Sequence, residues 1–264
     1  MLDDYEATTF EHDTVRRRLF LRGTGPGIVV MHEIPGIYPA VVEFADRLVA
    51  EGYRVYLPEL VGHAGRAFSN GYAVQSMLRA CIAREFHVLA SRGSSPITVW
   101  LRALAHKAHQ ECGGPGIGCI GMCLTGNFGL AMMVDDFVMA PVLSQPSLPL
   151  PLGAERRRAL HVSDSDLARI RERVQNEGCK VLGLRFTADP LCPPERFERL
   201  HQELGSGFEA IEIDSSKGNP GGNPKTAHSV VTKDLIDRAG HPTRVALDRV
   251  LSFFEERLKA PING

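Results

Sequence analysis

The sequence has 264 residues, of which 44% are hydrophobic, and a formal net charge of -1. This length is enough for one large hydrophobic core, and we expect residues 1–264 to form a single domain. The near-zero net charge argues against nucleic acid as a partner, because binding to phosphates needs clustered Lys and Arg. The run Arg16, Arg17 and Arg18 is too short to change this, and it indicates a solvent-exposed strand edge.

The sequence also argues against a membrane protein and a secreted protein. No apolar stretch reaches the roughly 18 residues that a membrane span needs, and the acidic segment Met1–Glu11 lacks the apolar core of a signal peptide. Six cysteines in a chain of this length do not indicate a disulfide framework. Neither a Cys-x-x-Cys pair nor a His-Glu-x-x-His motif supports a metal site. We therefore expect a cytoplasmic protein without a metal.

Apolar runs rich in β-branched residues alternate along the chain with amphipathic stretches. The runs predict strands at residues 27–31, 53–57, 116–121, 137–140, 179–186 and 208–213, of which 27–31 and 116–121 are expected to be buried. The stretches predict helices at residues 39–51, 74–90, 96–111, 124–134, 193–204 and 242–258, and a further helix that begins with Ser163 as its N-cap. Pro141–Pro151 contains four prolines and is predicted to be an irregular loop. This alternation predicts an α/β fold, a mostly parallel sheet with helices on both faces.

The motif Gly121–Gly126 is the strongest local signal for chemistry. A predicted buried strand leads into it and a predicted helix follows it, which is the setting of a nucleophile elbow. In such a turn the thiol of Cys123 stands above the sheet beside a helix N-terminus, whose dipole favours a thiolate and a developing oxyanion. Thr125 takes the place of the usual small residue, so we expect Gly126 to allow the close helix approach. The alternative is an inert buried cysteine.

Two further residues follow in the order nucleophile, acid, histidine that α/β-hydrolases use. Asp189 comes just after a predicted strand, at the edge of a parallel sheet where active sites form. His228 lies in the long loop after the last predicted strand. His228 would take the proton of Cys123 and later activate water, while Asp189 would orient the imidazole ring. The alternatives are an Asx turn before Pro190 and an ordinary loop histidine.

The loop after the first long parallel strand should supply part of an oxyanion hole. This loop is His32-Glu33-Ile34-Pro35-Gly36. Pro35 has no backbone N–H, so we expect the donor to be the N–H of Ile34, with the N–H of Leu124 as its partner.

Several segments resemble the dienelactone hydrolase family. The first is the elbow with Cys rather than Ser, and the second is Val29–Ile37. The third runs from Arg47-Leu48 through Glu51-Gly52-Tyr53 to Leu57-Pro58-Glu59-Leu60. The last is His241–Arg244, which leads into Arg249–Leu258. The resemblance covers roughly Gly27–Leu258. It implies an α/β-hydrolase that cleaves small esters and lactones, with a carboxymethylenebutenolide as the best-known substrate, and that uses neither a metal nor an organic cofactor. By this resemblance Cys123, Asp189 and His228 form the triad.

The resemblance also assigns a role to Glu33, as the acidic residue near the thiol. A carboxylate is costly to bury without partners; one close to Cys123 disfavours the thiolate and would keep the free enzyme as an unreactive thiol until substrate displaces it. The alternative is that Glu33 caps the local backbone or pairs with an arginine. Four residues after the histidine, where the family has an arginine for the substrate carboxylate, this chain has Thr232. The second family arginine corresponds to Arg84 or Arg79, and Arg84 is our candidate for substrate binding.

Two other functional hypotheses remain. A thiol hydrolase of the glutamine-amidotransferase-like type also uses a Cys elbow, but it often places His directly after Cys, and here Leu124 follows. Alternatively, the chain is a catalytically weak α/β-hydrolase that serves as a binding or thiol redox-sensing module, as Thr125 and the missing arginine suggest. The expected partner is a small-molecule ester or lactone, and the sequence does not define an oligomeric state.

Overall fold

The computed structural model describes residues 1–82 and 95–259. The strands are β1 (Glu6–His12), β2 (Val15–Arg22), β3 (Gly27–Met31), β4 (Arg54–Pro58), β5 (Ile117–Met122), β6 (Val138–Ser144), β7 (Val181–Phe186) and β8 (Phe208–Ile213). The helices are α1 (Pro39–Ala50), α2 (Asn70–Ile82), α3 (Pro96–Cys112), α4 (Phe128–Met132), α5 (Ala154–Arg158), α6 (Asp164–Asn176), α7 (Pro194–Leu204) and α8 (Pro242–Leu258).

The strands form one sheet in the order β1-β2-β4-β3-β5-β6-β7-β8. β1 and β2 pair antiparallel, β2 pairs antiparallel with β4, and all later pairs are parallel. The predicted α/β class with a mostly parallel sheet is therefore confirmed. Because parallel strands end at the same edge, the loops after β3, β5, β6, β7 and β8 lie together.

Helices cover both faces of the sheet. α1 and α8 pack on one face, where alternate strand residues such as Val30 and Ile120 are buried. α3 and α4 pack on the other face, against the opposite residues such as Val29 and Cys119. α6 and α7 extend this second layer over β7. Successive residues of a strand point to opposite faces of the sheet, and helices cover both faces, so the central parallel strands are apolar throughout.

The N-terminal hairpin of β1 and β2 was not predicted from the sequence. Its strands alternate exposed and less exposed residues, and Thr9 pairs with Arg18 in the register of the two strands. Arg16, Arg17 and Arg18, expected at a solvent-exposed strand edge, lie where β2 pairs with β1 alone, because the ladder between β2 and β4 begins only at Leu19. The side chains of Arg16 and Arg18 are exposed.

The structure corrects two predicted boundaries. Residues 141–144 belong to β6 rather than to the loop predicted at residues 141–151. Pairing of β6 with β7 begins only at Val142, so the missing N–H of Pro141 interrupts no bond of that ladder. The helix expected at residues 124–134 is divided into a short 3-10 turn, Cys123–Thr125, and α4. The predicted N-cap is confirmed, since Ser163 Oγ accepts a hydrogen bond from the Asp166 N–H at 3.1 Å.

No helix in the part of the chain described here combines the length and apolarity that crossing a membrane requires.

Candidate active site

The loops at the carboxyl edge of the sheet carry all the triad candidates. Cys123 follows β5 directly, Asp189 lies three residues after β7, and His228 lies in the loop after β8. Glu33 and Ile34 follow β3. Cys123, Asp189 and Glu33 are buried. Residues far apart in the sequence are thus brought to one edge by the parallel topology alone.

Cys123 adopts the backbone conformation that a nucleophile elbow requires. Its φ is 54°, in the left-handed region that a residue with a Cβ rarely occupies. The turn is closed by the Gly126 N–H, which donates to the Cys123 carbonyl at 3.0 Å. The residue is only 5% exposed. Because the helix after Cys123 is divided, its dipole acts through a short turn rather than through the long helix expected.

Thr125, which departs from the usual motif, stabilises the elbow. Its Oγ1 accepts from the Met122 N–H at 2.9 Å and lies 2.8 Å from the Met31 carbonyl, to which it can donate. This hydroxyl therefore connects the elbow to β3. The close approach within the turn depends on Gly121, because a Cβ there would lie 2.1 Å from the Thr125 carbonyl oxygen. The role expected of Gly126 is different: it makes room for Pro146, whose Cα would lie 2.4 Å from a Cβ.

Asp189 and His228 form a direct hydrogen bond. His228 Nδ1 donates to Asp189 Oδ2 at 2.6 Å, and the other carboxylate oxygen accepts from the Leu191 N–H at 2.9 Å. The Asx turn considered as the alternative for Asp189 therefore coexists with the contact to His228. The backbone of the histidine loop is fixed by Asp234, whose Oδ2 accepts from the N–H groups of His228 and Ser229.

The electrostatic environment raises the pKa of His228 well above its ordinary value. Burial alone would lower this pKa, but the interactions of the imidazole with Cys123 and with Asp189 outweigh the burial. Within the described residues His228 Nε2 has no hydrogen-bond partner that meets the distance and angle criteria, although Cys123 is near enough to raise the pKa of this histidine. Because Nδ1 is occupied by Asp189, Nε2 is the nitrogen that remains for proton exchange.

The two expected oxyanion donors lie on neighbouring loops: Leu124 follows Cys123 directly, and Ile34 follows β3, which pairs with β5. Ile34 and Leu124 pack in the same apolar cluster as Cys123. Neither backbone N–H donates to another group of residues 1–82 and 95–259. The Ile34–Pro35 bond is cis. The loop is fixed by His32, whose Nδ1 donates to the Glu33 carbonyl at 2.9 Å while Nε2 accepts from the Leu60 N–H at 3.0 Å. Burial lowers the pKa of His32 to about 4, which keeps this ring neutral.

Glu33 is surrounded by uncharged donors, contrary to the alternative of a backbone cap or an arginine pair. Its Oε1 accepts from Tyr38 and Thr232, and its Oε2 accepts from Ser229 at 2.6 Å and from Gln145 at 3.2 Å. Four donated hydrogen bonds are those of an ionised carboxylate, which only accepts. Burial and the charge of Glu33 raise the pKa of Tyr38, so its hydroxyl remains a donor. The Glu33 carboxylate makes no hydrogen bond to Cys123 in the described structure.

Sequence reasoning missed the residues that order the loop after β6. Gln145, at the end of this strand, is fully buried and contacts Glu33. Arg196 of α7 is fully buried and donates to the carbonyls of Pro146, Pro149, Arg156 and Ala159. Burial lowers the pKa of Arg196 to about 10, which leaves it charged at neutral pH. The available signal in the sequence was the position of Arg196, which falls on the apolar stripe of α7 together with Phe197 and Leu200.

The two arginine candidates have different outcomes. Arg84, the candidate for substrate binding, lies outside the described residues. Arg79 lies on α2 and is exposed. Thr232, at the position of the family's other arginine, is 6% exposed, and its hydroxyl is used by Glu33. No group of three or more His, Cys, Asp or Glu side chains in the described ranges is arranged to hold a metal ion.

The sheet order and the elbow after β5 define the class of the protein as an α/β-hydrolase. The sequence profile of the dienelactone hydrolase family matches residues 21–256. The chain therefore belongs to the dienelactone hydrolase family, as its motifs indicated, and is a hydrolase by family.

Solved structures support the same fold. A dienelactone hydrolase from Anabaena variabilis has a TM-score of 0.60 at 15% identity, covering 96% of this chain and 98% of its own. The dienelactone hydrolase-like promiscuous phosphotriesterase P91 from metagenomic libraries has a TM-score of 0.61 at 17% identity, with the same coverages of 96% and 98%. Est1E from Butyrivibrio proteoclasticus has a TM-score of 0.55 at 13% identity, over 95% and 98% of the two chains. No curated protein sequence shows significant similarity to the chain.

Proposed function

We propose that this protein hydrolyses small esters or lactones with a triad of Cys123, His228 and Asp189. The observation that carries the proposal is the hydrogen bond of 2.6 Å between His228 and Asp189, with the second imidazole nitrogen left for the thiol at the elbow. Nucleophile, base and orienting carboxylate then occur in the spatial order that acyl transfer needs. The family membership supports the same reaction class.

The first half of the reaction acylates the thiol. His228 Nε2 takes the proton of Cys123, and the thiolate attacks the carbonyl carbon of the ester. The N–H groups of Ile34 and Leu124 stabilise the resulting oxyanion. The tetrahedral intermediate collapses as the carbon–oxygen bond to the leaving group breaks, and the His228 imidazolium protonates the departing alkoxide. The products of this half are a thioester on Cys123 and an alcohol, or a single ring-opened acyl chain from a lactone.

The second half regenerates the thiol. His228 takes a proton from water, and the hydroxide attacks the thioester carbonyl at the same oxyanion site. The carbon–sulfur bond then breaks, and the proton on His228 returns to the sulfur of Cys123. Asp189 keeps the imidazole in the tautomer whose unprotonated Nε2 can accept a proton first from the thiol and then from water.

Five cysteines whose surroundings are described are unpaired: Cys112, Cys119, Cys123, Cys179 and Cys192. A thiol nucleophile and unpaired cysteines fit a reducing compartment such as the cytoplasm. Two of these thiols, Cys119 and Cys192, are buried, and burial raises the pKa of each to about 12. They are therefore inert to alkylation at neutral pH.

A chromogenic ester assay with and without iodoacetamide tests the proposal. We expect alkylation and Cys123→Ala each to abolish turnover, while the circular dichroism spectrum of the variant stays unchanged. Cys112→Ala is the matched control, because Cys112 is a partly exposed thiol on α3, and it should retain wild-type turnover. Near wild-type turnover by Cys123→Ala would contradict the proposal. A wild-type protein that is alkylated at Cys123 but turns over no ester would support the binding or redox-sensing alternative instead.

A further inference from the structure

Gln145 has an unusual backbone at the carboxyl end of β6. Its φ is 36°, in the left-handed region, although it is not a glycine. Its N–H still donates to the Leu184 carbonyl at 2.7 Å, so the residue belongs to the edge of the sheet. The residue is fully buried. A strained conformation at a buried polar residue costs free energy, and it persists where the surrounding contacts impose it.

The side-chain amide of Gln145 connects two loops of the site. Its Nε2 donates to Glu33 Oε2 at 3.2 Å. Its Oε1 accepts from the Ser144 hydroxyl and from the Val230 N–H at 3.4 Å. Val230 is two residues after His228. The amide therefore joins the loop after β3 to the backbone of the histidine loop, in addition to the Ser229 and Thr232 hydroxyls that donate to Glu33 directly.

The main chain around Gln145 reaches the nucleophile elbow. The Gln145 carbonyl accepts from the Ser147 hydroxyl at 2.9 Å. The Ser147 N–H in turn donates to the Cys123 carbonyl at 2.9 Å. Gln145 is thus connected to the nucleophile through Ser147, to the histidine loop through Val230, and to Glu33 directly.

We propose that Gln145 is a positioning residue that fixes the histidine loop relative to the elbow by bridging Glu33 and the Val230 N–H. This inference rests on the proposed function, since it assumes that Cys123 and His228 react together. The bridge needs a group that donates on one side and accepts on the other, and a neutral amide provides both. An apolar side chain of similar length leaves Glu33 without one donor and the Val230 N–H without an acceptor.

The charged and titratable groups around Gln145 determine how its variants respond to pH. They are Glu33 and Tyr38 in the loop after β3, Cys123 on the elbow, Asp189 after β7, and His228 and Asp234 in the histidine loop. Among them Glu33 is the one in direct contact with the amide. A carboxyl at position 145 would thus face another carboxylate about 3 Å away, and two such groups share one proton because both cannot ionise.

Two variants test the proposal, with turnover normalised to the amount of alkylatable Cys123. In Gln145→Met both halves of the bridge are lost, and we expect kcat to fall roughly 100-fold with a smaller change in KM, because displacing a base by about 1 Å costs that much. In Gln145→Glu the shared proton restores the donor, so turnover at pH about 6 should approach the wild type. The ratio of Gln145→Glu to wild-type turnover should then fall as pH rises from about 6 to 9, when that proton is lost.

Gln175→Met is the matched control, because Gln175 is exposed on α6, and it should leave kcat unchanged at every pH. A merely structural role for Gln145 would lower the folded fraction but not kcat per reactive thiol. The inference is overturned if Gln145→Met retains kcat within threefold, or if the ratio for Gln145→Glu does not depend on pH. Either result, obtained while Cys123→Ala is inactive, refutes this inference and leaves the proposed function intact; activity in Cys123→Ala refutes the proposed function itself.

Discussion

The substitution Asp189→Asn tests the triad through a single pair of charges. Asp189 Oδ2 lies 2.6 Å from His228 Nδ1, and both side chains are largely buried. For charge centres about 4 Å apart and an effective dielectric constant near 20, the carboxylate stabilises an imidazolium by about 4 kcal/mol. If the transition state contains the charged ring, its loss should lower kcat/KM by roughly 1,000-fold. An amide at this position also favours the wrong imidazole tautomer, which adds to the loss.

The same variant should change the pH dependence in a defined direction. The charge and hydrogen bond of Asp189 help to raise the pKa of His228, whereas burial lowers it. Removing Asp189 leaves the burial in place, so the pKa of His228 falls. The imidazolium that protonates the leaving group is then lost at lower pH, and the alkaline limb of kcat/KM should move to lower pH.

Steady-state kinetics across pH with a chromogenic ester measures both effects. Asp214→Asn is the control, because this exposed carboxylate follows the neighbouring strand β8 and caps the Ser216 N–H at 2.8 Å without contacting the site. It should retain kcat/KM within twofold. A loss of less than tenfold in Asp189→Asn, or an alkaline limb that does not move, would refute the role of Asp189 as the orienting charge.

Three further predictions concern the surroundings of the site. Glu33→Gln should speed alkylation of Cys123 in the free enzyme at neutral pH, even if turnover falls; an unchanged alkylation profile would leave Glu33 a structural residue. Arg196→Met should lower the free energy of unfolding by roughly 3 kcal/mol in urea titration, because several buried carbonyls lose their donor. On the same helix, Arg199 is half-buried and pairs with Glu203 near the surface, so Arg199→Met should change this free energy by less than about 1 kcal/mol. A carboxylate-bearing lactone should be hydrolysed little better than its methyl ester, and a large preference for the charged form that survives Arg84→Ala would contradict this.

The sequence predicted most accurately the strands and helices whose apolar residues follow a clear pattern. Phe208–Ile213 and Pro242–Leu258 have the bounds expected, because a short run rich in apolar residues and a helix with an apolar stripe give clear sequence patterns. The β1 and β2 hairpin was missed because its residues are mostly polar or charged, and its one apolar run, Leu19-Phe20-Leu21 of β2, is only three residues long. Its position is set by pairing with β4, which no local pattern shows.

The candidate site was predictable where topology determines it. In a parallel sheet any polar residue just after a strand lies at the same edge, so Cys123, Asp189 and His228 were accessible from chain order. Gln145 was not, because its role depends on a left-handed turn and on a partner, Glu33, 112 positions away in the chain. The surroundings of Glu33 were likewise hidden, since its donors come from three separate loops.

Trapping the acyl-enzyme tests the central claim most directly. Wild-type protein turning over a slowly deacylated ester is quenched with acid and digested, and the peptide that contains Cys123 is analysed by mass spectrometry. The account predicts a thioester on Cys123 whose mass equals that of the acyl group, with Cys112 unmodified, and its accumulation should be abolished in His228→Ala. Turnover of the ester without an acyl group on Cys123, or with the acyl group on another residue, would contradict the account.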